Sequence, residues 1–152
     1  MTLQVGQPAP DFDLPATTGE RITLSGLRGQ KVVVMFFPFA FTGICTGEVC
    51  ALSEGLGEFG DLDATVLSIS CDAAPTQARF AEQEGLSYPL LSDFWPHGEV
   101  ARSYGVFLDH IGAANRGTFI IDRDGNLAWS VVTALGEPRD VAEYTSVLQG
   151  LA

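Results

Sequence analysis

The alternation of hydrophobic and polar residues predicts strands at the start of the chain. A turn-rich stretch, residues 15–19, separates two alternating segments, residues 12–14 and 22–24, which predict a short N-terminal β-hairpin. Residues 31–37 form a continuous β-branched and aromatic run, typical of a strand buried on both faces. Residues 65–70 predict a second central strand. The first half of the chain therefore predicts a hairpin followed by a buried sheet.

After the first central strand, apolar residues recur at the spacing of an α-helix. One apolar helix face is predicted from Cys45, Val49, Leu52, Leu56 and Phe59. Another helix is predicted over residues 76–84, ending at Gly85, and a short one over residues 97–104. The last helix is expected over residues 138–151, with Pro138 in its first turn.

The order of these elements predicts the fold class. Residues 118–122 and 126–132, joined by an Asp124-Gly125 turn, predict a second hairpin. The order is then hairpin, β-α-β-α and β-β-α, which predicts an α/β protein with a central mixed β-sheet flanked by helices. A thioredoxin-like fold fits this order, with the N-terminal β-hairpin as an extension and an insertion from about residue 86 to 116. We expect one domain over residues 1–152.

Composition narrows the classes of function. The net charge is −11, with 8 Lys and Arg against 19 Asp and Glu, so the basic surface that nucleic-acid binding needs is lacking. The same charge disfavours an anionic membrane surface. No apolar run approaches the roughly 20 residues that span a bilayer, and the first residues do not resemble a secretory signal. We expect a cytoplasmic protein.

The chain has 3 cysteines, Cys45, Cys50 and Cys71. An odd number without an export signal does not suggest a disulfide framework. No CxxC pair exists, and His97 and His110 lie at no zinc-finger spacing, so no metal site is predicted. Each cysteine is a reactive thiol or a small buried residue, and for Cys71 we expect the second. Both histidines are interpreted as structural or exposed.

Cys45 is the best candidate for chemistry. It opens a predicted helix just after the first buried strand, in the crevice where α/β proteins usually form sites. Free N–H groups and the helix dipole there favour the thiolate, which is the nucleophile. Thr42 is positioned to place its hydroxyl beside the sulfur or an incoming oxygen, and Pro38 removes a backbone donor and shields the sulfur from water. The residues alone predict an activated cysteine.

Pro38, Thr42 and Cys45 match the PxxxTxxC motif of the peroxiredoxins, which this chain resembles. Arg116, just before a core strand, stands where that family has its active-site arginine. The wider likeness is to the actinobacterial alkyl hydroperoxide reductase E type and covers nearly the whole chain; it is carried by residues 41–45, 90–98 and 104–107.

The resemblance implies a thiol peroxidase without metal, haem or flavin. The Cys45 thiolate would attack hydrogen peroxide or an organic hydroperoxide, giving a sulfenic acid and water or an alcohol. Arg116 would stabilise the thiolate and hold the peroxide oxygens, while Thr42 would orient the peroxide. The implied partners are the hydroperoxide and a thiol reductant, either thioredoxin or a mycoredoxin with mycothiol.

Cys50 leaves two interpretations open. In a helix, residues five apart lie about 140° around the axis and about 7.5 Å along it. A disulfide needs Cα atoms roughly 4.4–6.8 Å apart, so Cys45 and Cys50 can join only if the first turn unwinds. Peroxiredoxins that resemble the bacterioferritin-comigratory type resolve their sulfenic acid in this way, whereas E-type relatives are mainly one-cysteine enzymes. Cys50 is a resolving cysteine or a small packed residue.

Several other residues receive weaker interpretations. Glu48, one turn after Cys45, is expected either to pair with Arg116 or to be a solvated helix charge. Arg139, expected just inside the last helix, is a candidate second arginine near the site. Loop aromatics near the site suggest a homodimer interface and an apolar rim for fatty-acid hydroperoxides; they are Phe39, Phe41, Phe94 and Trp95.

Two rival functions compete with the peroxidase. A thioredoxin-like disulfide oxidoreductase is disfavoured because that chemistry uses CxxC, and this chain has CxxxxC. A non-enzymatic redox sensor or relay would use the same Cys45, so the sequence leaves this alternative open.

Overall fold

A computed structural model describes residues 3–151. In chain order its strands and helices are β1 (Asp13–Pro15), β2 (Arg21–Thr23), β3 (Lys31–Phe36), α1 (Gly43–Glu54), α2 (Leu56–Asp61), β4 (Ala64–Ser70), α3 (Ala74–Glu84), β5 (Leu90–Ser92), α4 (Glu99–Ser103), β6 (Phe107–Leu108), β7 (Ala113–Ala114), β8 (Arg116–Ile121), β9 (Leu127–Thr133) and α5 (Val141–Gln149). The central sheet has the order β5-β4-β3-β8-β9. Strand β3 is parallel to β4 and antiparallel to β8, so the predicted mixed sheet is confirmed. The predicted N-terminal hairpin is β1 paired with β2.

Strand β3 is buried on both sides, as its uninterrupted apolar run predicts. Val32 and Val34 join a core cluster that includes residues of β1 and α4. Val33 and Met35 point to the opposite face and join a second cluster with residues of α1, α3 and α5. Helices cover one face of the strand, and the hairpin and α4 cover the other. Each side chain of the strand must therefore be apolar or, if polar, have hydrogen-bond partners. Lys31 meets this requirement, since its Nζ donates to the Leu148 carbonyl oxygen at 3.1 Å, at the end of α5.

The predicted insertion at about residues 86–116 contributes a strand to the central sheet, which the sequence pattern did not indicate. Strand β5 pairs with β4 in parallel at the edge of the sheet. All 3 residues of β5 are buried, so the sequence shows no alternation of apolar and polar positions that would predict a strand there. The rest of the segment forms α4 and the small β6–β7 pair.

Two helix predictions need correction. The face expected to run from Cys45 to Phe59 is divided between α1 and α2, because Gly55 ends the first helix and a Cβ there would meet the Phe59 ring at 3.2 Å. The last helix begins at Val141, three residues later than expected. Asp140 caps it by accepting a hydrogen bond from the Ala142 amide, and Pro138 precedes the helix.

The register of the sheet brings two distant parts of the chain together. Met35 pairs with Thr118 across β3 and β8. Since the strands are antiparallel, the start of β8 at Arg116 lies beside the end of β3, which leads into α1. The first residue of β8 and the first turn of α1 therefore meet at one edge of the sheet.

Candidate active site

Cys45 lies in the first turn of α1 and is fully buried. The loop before it is fixed by two hydrogen bonds: the Ala40 amide donates to the Asp72 carboxylate at 2.9 Å, and the Thr42 hydroxyl donates to the Phe39 carbonyl at 2.8 Å. Pro38, near the start of this loop, is buried. The Thr42 hydroxyl therefore binds its own loop in this structure. The thiol sits at the positive end of a helix dipole in a water-poor setting.

Arg116 brings a positive charge to the sulfur from the start of β8. Its Nη1 lies 3.4 Å from Cys45 Sγ and donates to Glu48 Oε1 at 2.6 Å. Its Nε donates to the Leu135 carbonyl oxygen at 2.7 Å. The guanidinium is almost wholly buried. A fixed, desolvated cation next to the sulfur favours an anion at that position.

A second arginine shares Glu48 with the first. The Glu48 carboxylate accepts hydrogen bonds from Arg139 through Nε at 2.7 Å, Nη2 at 2.8 Å and the backbone amide at 2.8 Å. Glu48 therefore pairs with Arg116 and Arg139 together, and it is buried rather than solvated. Arg139 reaches it from the segment before α5, not from inside the helix. Two guanidiniums facing one carboxylate leave one positive charge, which a Cys45 thiolate would balance.

The two arginines keep Glu48 ionised. Burial by itself would raise the pKa of Glu48, but the hydrogen bonds and charge of Arg139, together with the charge of Arg116, hold it below its ordinary value of 4.5. Because the pKa is lower in the folded chain than in the unfolded chain, the ionised group adds stability at higher pH. That contribution is lost as the pH falls through the folded-state value.

Glu48→Gln is expected to lower the free energy of unfolding by about 3 kcal/mol at pH 7, since it leaves two buried cations without a counter-charge. As the pH falls from 4.5 toward the lower folded-state pKa of Glu48, unfolded wild type takes up the proton before the folded protein does, so the difference between the two proteins should shrink. Denaturant unfolding followed by circular dichroism between pH 7 and pH 3 measures this. A difference that stays constant over that range contradicts the assignment.

The other two cysteines have raised pKa values. Cys50 is half-buried on α1, its thiol lies 3.6 Å from Glu84 Oε1, and burial followed by the Glu84 contact raises its pKa. Cys71 is buried, and burial followed by the charge of Asp93 raises its pKa to about 12. Both thiols are therefore protonated and poorly nucleophilic at neutral pH in this conformation.

Sequence reasoning missed three groups that fix the site. The Leu135 carbonyl is a backbone group, so no residue type could signal it. Asp72 follows the carboxyl end of the parallel strand β4, where polar residues of α/β proteins often form part of a functional site. Its position in the sequence could therefore have identified it as a site residue. Thr118 binds Arg139 from inside β8, where a buried threonine looks like ordinary strand packing.

The remaining candidates lie apart from the sulfur. Both His97 ring nitrogens face carbonyl oxygens, those of Phe94 and Gly112, which is a structural role. His110 is exposed. Within residues 3–151, no group of three or more His, Cys, Asp or Glu side chains is arranged to hold a metal ion. No helix in that same part of the chain is long and apolar enough to cross a membrane.

Comparison with known proteins decides the family. The AhpC/TSA family model matches residues 5–130. The chain belongs to the peroxiredoxin family. The peroxiredoxin is 47% identical over 150 residues to alkyl hydroperoxide reductase E of Mycobacterium tuberculosis, an alignment that covers 98% of each protein. The resemblance inferred from its motifs is confirmed.

Solved structures agree with this assignment and with the thioredoxin-like fold. Peroxidoxin BcpB from Mycobacterium tuberculosis is 32% identical, with a TM-score of 0.88 and 99% of both chains covered. Enterococcus faecalis AhpC is 27% identical, with a TM-score of 0.90, covering 99% of this chain and 92% of that one. The peroxiredoxin is therefore a thiol peroxidase that uses a peroxide substrate and a thiol reductant.

Proposed function

We propose that this peroxiredoxin reduces hydrogen peroxide and organic hydroperoxides, fatty-acid hydroperoxides among them, through a Cys45 sulfenic acid in antioxidant defence. One observation carries the proposal: the Arg116 guanidinium lies 3.4 Å from a fully buried Cys45 sulfur at a helix N-terminus. That setting favours the thiolate and presents donors to a second anion that approaches it.

The chemistry is a two-electron transfer to the peroxide. The thiolate sulfur attacks the terminal peroxide oxygen, an S–O bond forms, and the O–O bond breaks. The departing oxygen takes a proton and leaves as water or an alcohol, and Cys45 becomes a sulfenic acid. Arg116 and the amides near Ile44 and Cys45 would stabilise the negative charge that develops on the departing oxygen.

The loop before α1 completes the catalytic set. Thr42 would turn its hydroxyl from the Phe39 carbonyl, 2.8 Å away, toward the bound peroxide, and Pro38 would keep water from the sulfur. The use of organic hydroperoxides is supported by large aromatic side chains that the loops leave exposed. These are Phe39, Phe41, Phe94 and Trp95.

Stopped-flow fluorescence of the reduced protein tests the proposal, with Trp95 and Trp129 as reporters. Mixing with hydrogen peroxide, and separately with a fatty-acid hydroperoxide, should give a fast change in fluorescence, and the larger rate constant identifies the preferred substrate. Trapping with a sulfenic-acid reagent and mass spectrometry should place one adduct on Cys45. A rate no faster than that of a free thiol, or an adduct elsewhere, contradicts the proposal.

The partners follow from the same reasoning. The exposed aromatic side chains, above all Trp95, support a homodimer joined through these loops, and sedimentation of wild type against Trp95→Glu tests it.

The three free cysteines fit a reducing cytoplasm. Steady-state turnover with a thioredoxin system and with a mycoredoxin–mycothiol system identifies the reductant.

Cys50 is proposed as the resolving cysteine, acting only after α1 has unwound. Cys45 and Cys50 lie on one continuous helix, in which their sulfurs cannot bond. The segment between them is weakly helical, because Gly47 lies in it and a glycine costs about 1 kcal/mol relative to alanine. Unwinding would also remove the Cys50 thiol from the burial and the Glu84 contact that raise its pKa.

Gly47→Ala is expected to slow formation of the Cys45–Cys50 disulfide about fivefold, by stabilising the helix. An added Cβ meets no atom within 4 Å, so the fold accepts it, and the first oxidation step should keep its rate. Gly57→Ala on α2 is the matched control, since it too has open space. Mass spectrometry after one equivalent of peroxide gives the readout: a persistent sulfenic acid with no disulfide in wild type overturns the role of Cys50.

A further inference from the structure

The hydrogen bonds around Glu48 continue beyond Arg139 to two buried hydroxyl groups. Arg139 Nη1 donates to Thr118 Oγ1 at 3.2 Å, and Thr118 Oγ1 lies 2.7 Å from the Tyr144 hydroxyl. Thr118 and Tyr144 are both fully buried. Removal of the Thr118 hydroxyl takes this partner from both Arg139 Nη1 and the Tyr144 hydroxyl, whereas removal of the Tyr144 hydroxyl leaves Thr118 Oγ1 with its hydrogen bond from Arg139.

The positions of these residues connect three elements of the fold. Thr118 lies two residues after Arg116 on β8, so both side chains leave the same face of the sheet. Tyr144 lies on α5, which packs against that face. Burial raises the pKa of Tyr144, so its hydroxyl stays protonated at neutral pH. Strand β8 thus supplies both the arginine that faces the sulfur and the hydroxyl that holds the second arginine.

The two arginines compete for Glu48. The carboxylate accepts four hydrogen bonds, three from Arg139 and one from Arg116. If the Arg139 side chain left the carboxylate, Glu48 Oε2 would keep its hydrogen bond from the Arg139 backbone amide, but each oxygen would lose one side-chain donor and could accept a hydrogen bond from Arg116 instead. A two-point pair would then draw the Arg116 guanidinium away from Cys45 and offset its charge. The position of Arg139 therefore controls how much of the Arg116 charge reaches the sulfur.

We propose that Thr118, oriented by Tyr144, is a positioning residue for peroxide reduction, since it holds Arg139 on Glu48 and so keeps Arg116 on Cys45. The inference rests on the proposed function of Cys45. Neither hydroxyl touches the sulfur or the peroxide, so both act through the arginines. Among residues 3–151, the charged groups that these contacts join to the sulfur are Arg116 from β8, Glu48 from α1 and, through Glu48, Arg139.

The test compares hydroxyl deletions with matched controls. Thr118→Val keeps the shape of the side chain and removes the acceptor of Arg139, whereas Thr118→Ser keeps the acceptor. Tyr144→Phe removes the second hydroxyl. Tyr88→Phe is the control, because Tyr88 is another buried tyrosine of the same core cluster and its hydroxyl bonds Ser68 and the Val49 carbonyl.

The measured quantities are the rate constant with hydrogen peroxide between pH 5 and pH 9 and the circular dichroism spectrum. Thr118→Val should lower the rate at pH 7 about tenfold, the effect of losing one charge-assisted hydrogen bond, and move the midpoint of the pH–rate profile upward. Thr118→Ser should retain the wild-type profile. Tyr144→Phe should move the midpoint in the same direction by less, and it carries the test if Thr118→Val does not fold.

An unchanged midpoint in the folded hydroxyl-deletion variants overturns the inference. So does an equal shift in Tyr88→Phe, which would show a general effect of core packing. Cys45→Ser separates this failure from that of the proposed function. If the serine variant keeps the rate and its pH dependence, Cys45 is not the reacting group. If it loses both while Thr118→Val resembles wild type, only the positioning role fails.

Discussion

Cys45→Ser is expected to lower the rate of peroxide reduction by roughly four orders of magnitude or more, as removal of a nucleophile does in other enzymes. A serine hydroxyl stays protonated beside Arg116, and its oxygen is a far weaker nucleophile toward peroxide than a thiolate sulfur. The helix N-terminus and both arginines remain in this variant, so the fold is kept and only the attacking atom changes. Stopped-flow kinetics with a peroxide-consumption assay measure the loss.

The other cysteines are the controls for this result. Cys71→Ser should leave the first oxidation step at its wild-type rate, because its raised pKa, about 12, keeps this thiol protonated. Cys50→Ser should also keep the rate of the first step and change only the fate of the sulfenic acid. If the Cys45→Ser protein still reacts quickly with peroxide, another thiol of the chain is the reacting group.

Arg116→Met is expected to slow peroxide reduction by about 10² to 10³-fold, the usual effect of removing a charged donor from a reacting oxyanion. The variant removes the cation that lies 3.4 Å from the sulfur while filling much of the same volume. Because Glu48 keeps its three hydrogen bonds from Arg139, the remaining buried charges balance one to one. The variant should therefore fold normally and lose only the rate of peroxide reduction.

The matched control is Arg79→Met, which removes an arginine whose side chain is 64% exposed and pairs with Glu82 on the surface. It should keep the wild-type rate constant. The midpoint of the pH–rate profile should move upward in Arg116→Met and stay unchanged in Arg79→Met, since only the first variant takes a cation from beside the thiolate. Equal rates in Arg116→Met and wild type would remove Arg116 from the site.

Features that depend on local pattern could be predicted from the sequence. The buried strand β3 was marked by an unbroken apolar run, and Cys45 was placed at a helix start by its position after that run. The pairing of Glu48 with Arg116 was one of two interpretations, since a spacing of one turn fixes only the side of the helix. The choice between them depended on β8, more than 60 residues away in the chain.

The division at Gly55 has a local cause, but two other errors involve contacts with distant parts of the chain. Pro138 predicts an earlier start for α5 because proline favours a first turn, but Asp140 is a better cap and the Arg139 amide is bound to Glu48. Strand β5 is three residues long, too short to show a period, and pairs only because β4 presents a free edge. The Glu48 contact and the free edge of β4 both come from distant parts of the chain, so the local pattern does not show them.

The single lysine of the chain has a consequence for chemical labelling. Lys31 is 5% exposed, and its amine is bound to the end of α5. Reagents that modify surface amines therefore find no lysine side chain on the native protein. Acylation of Lys31 requires the end of α5 to detach from β3, so the rate of that reaction reports how often the C-terminal helix opens.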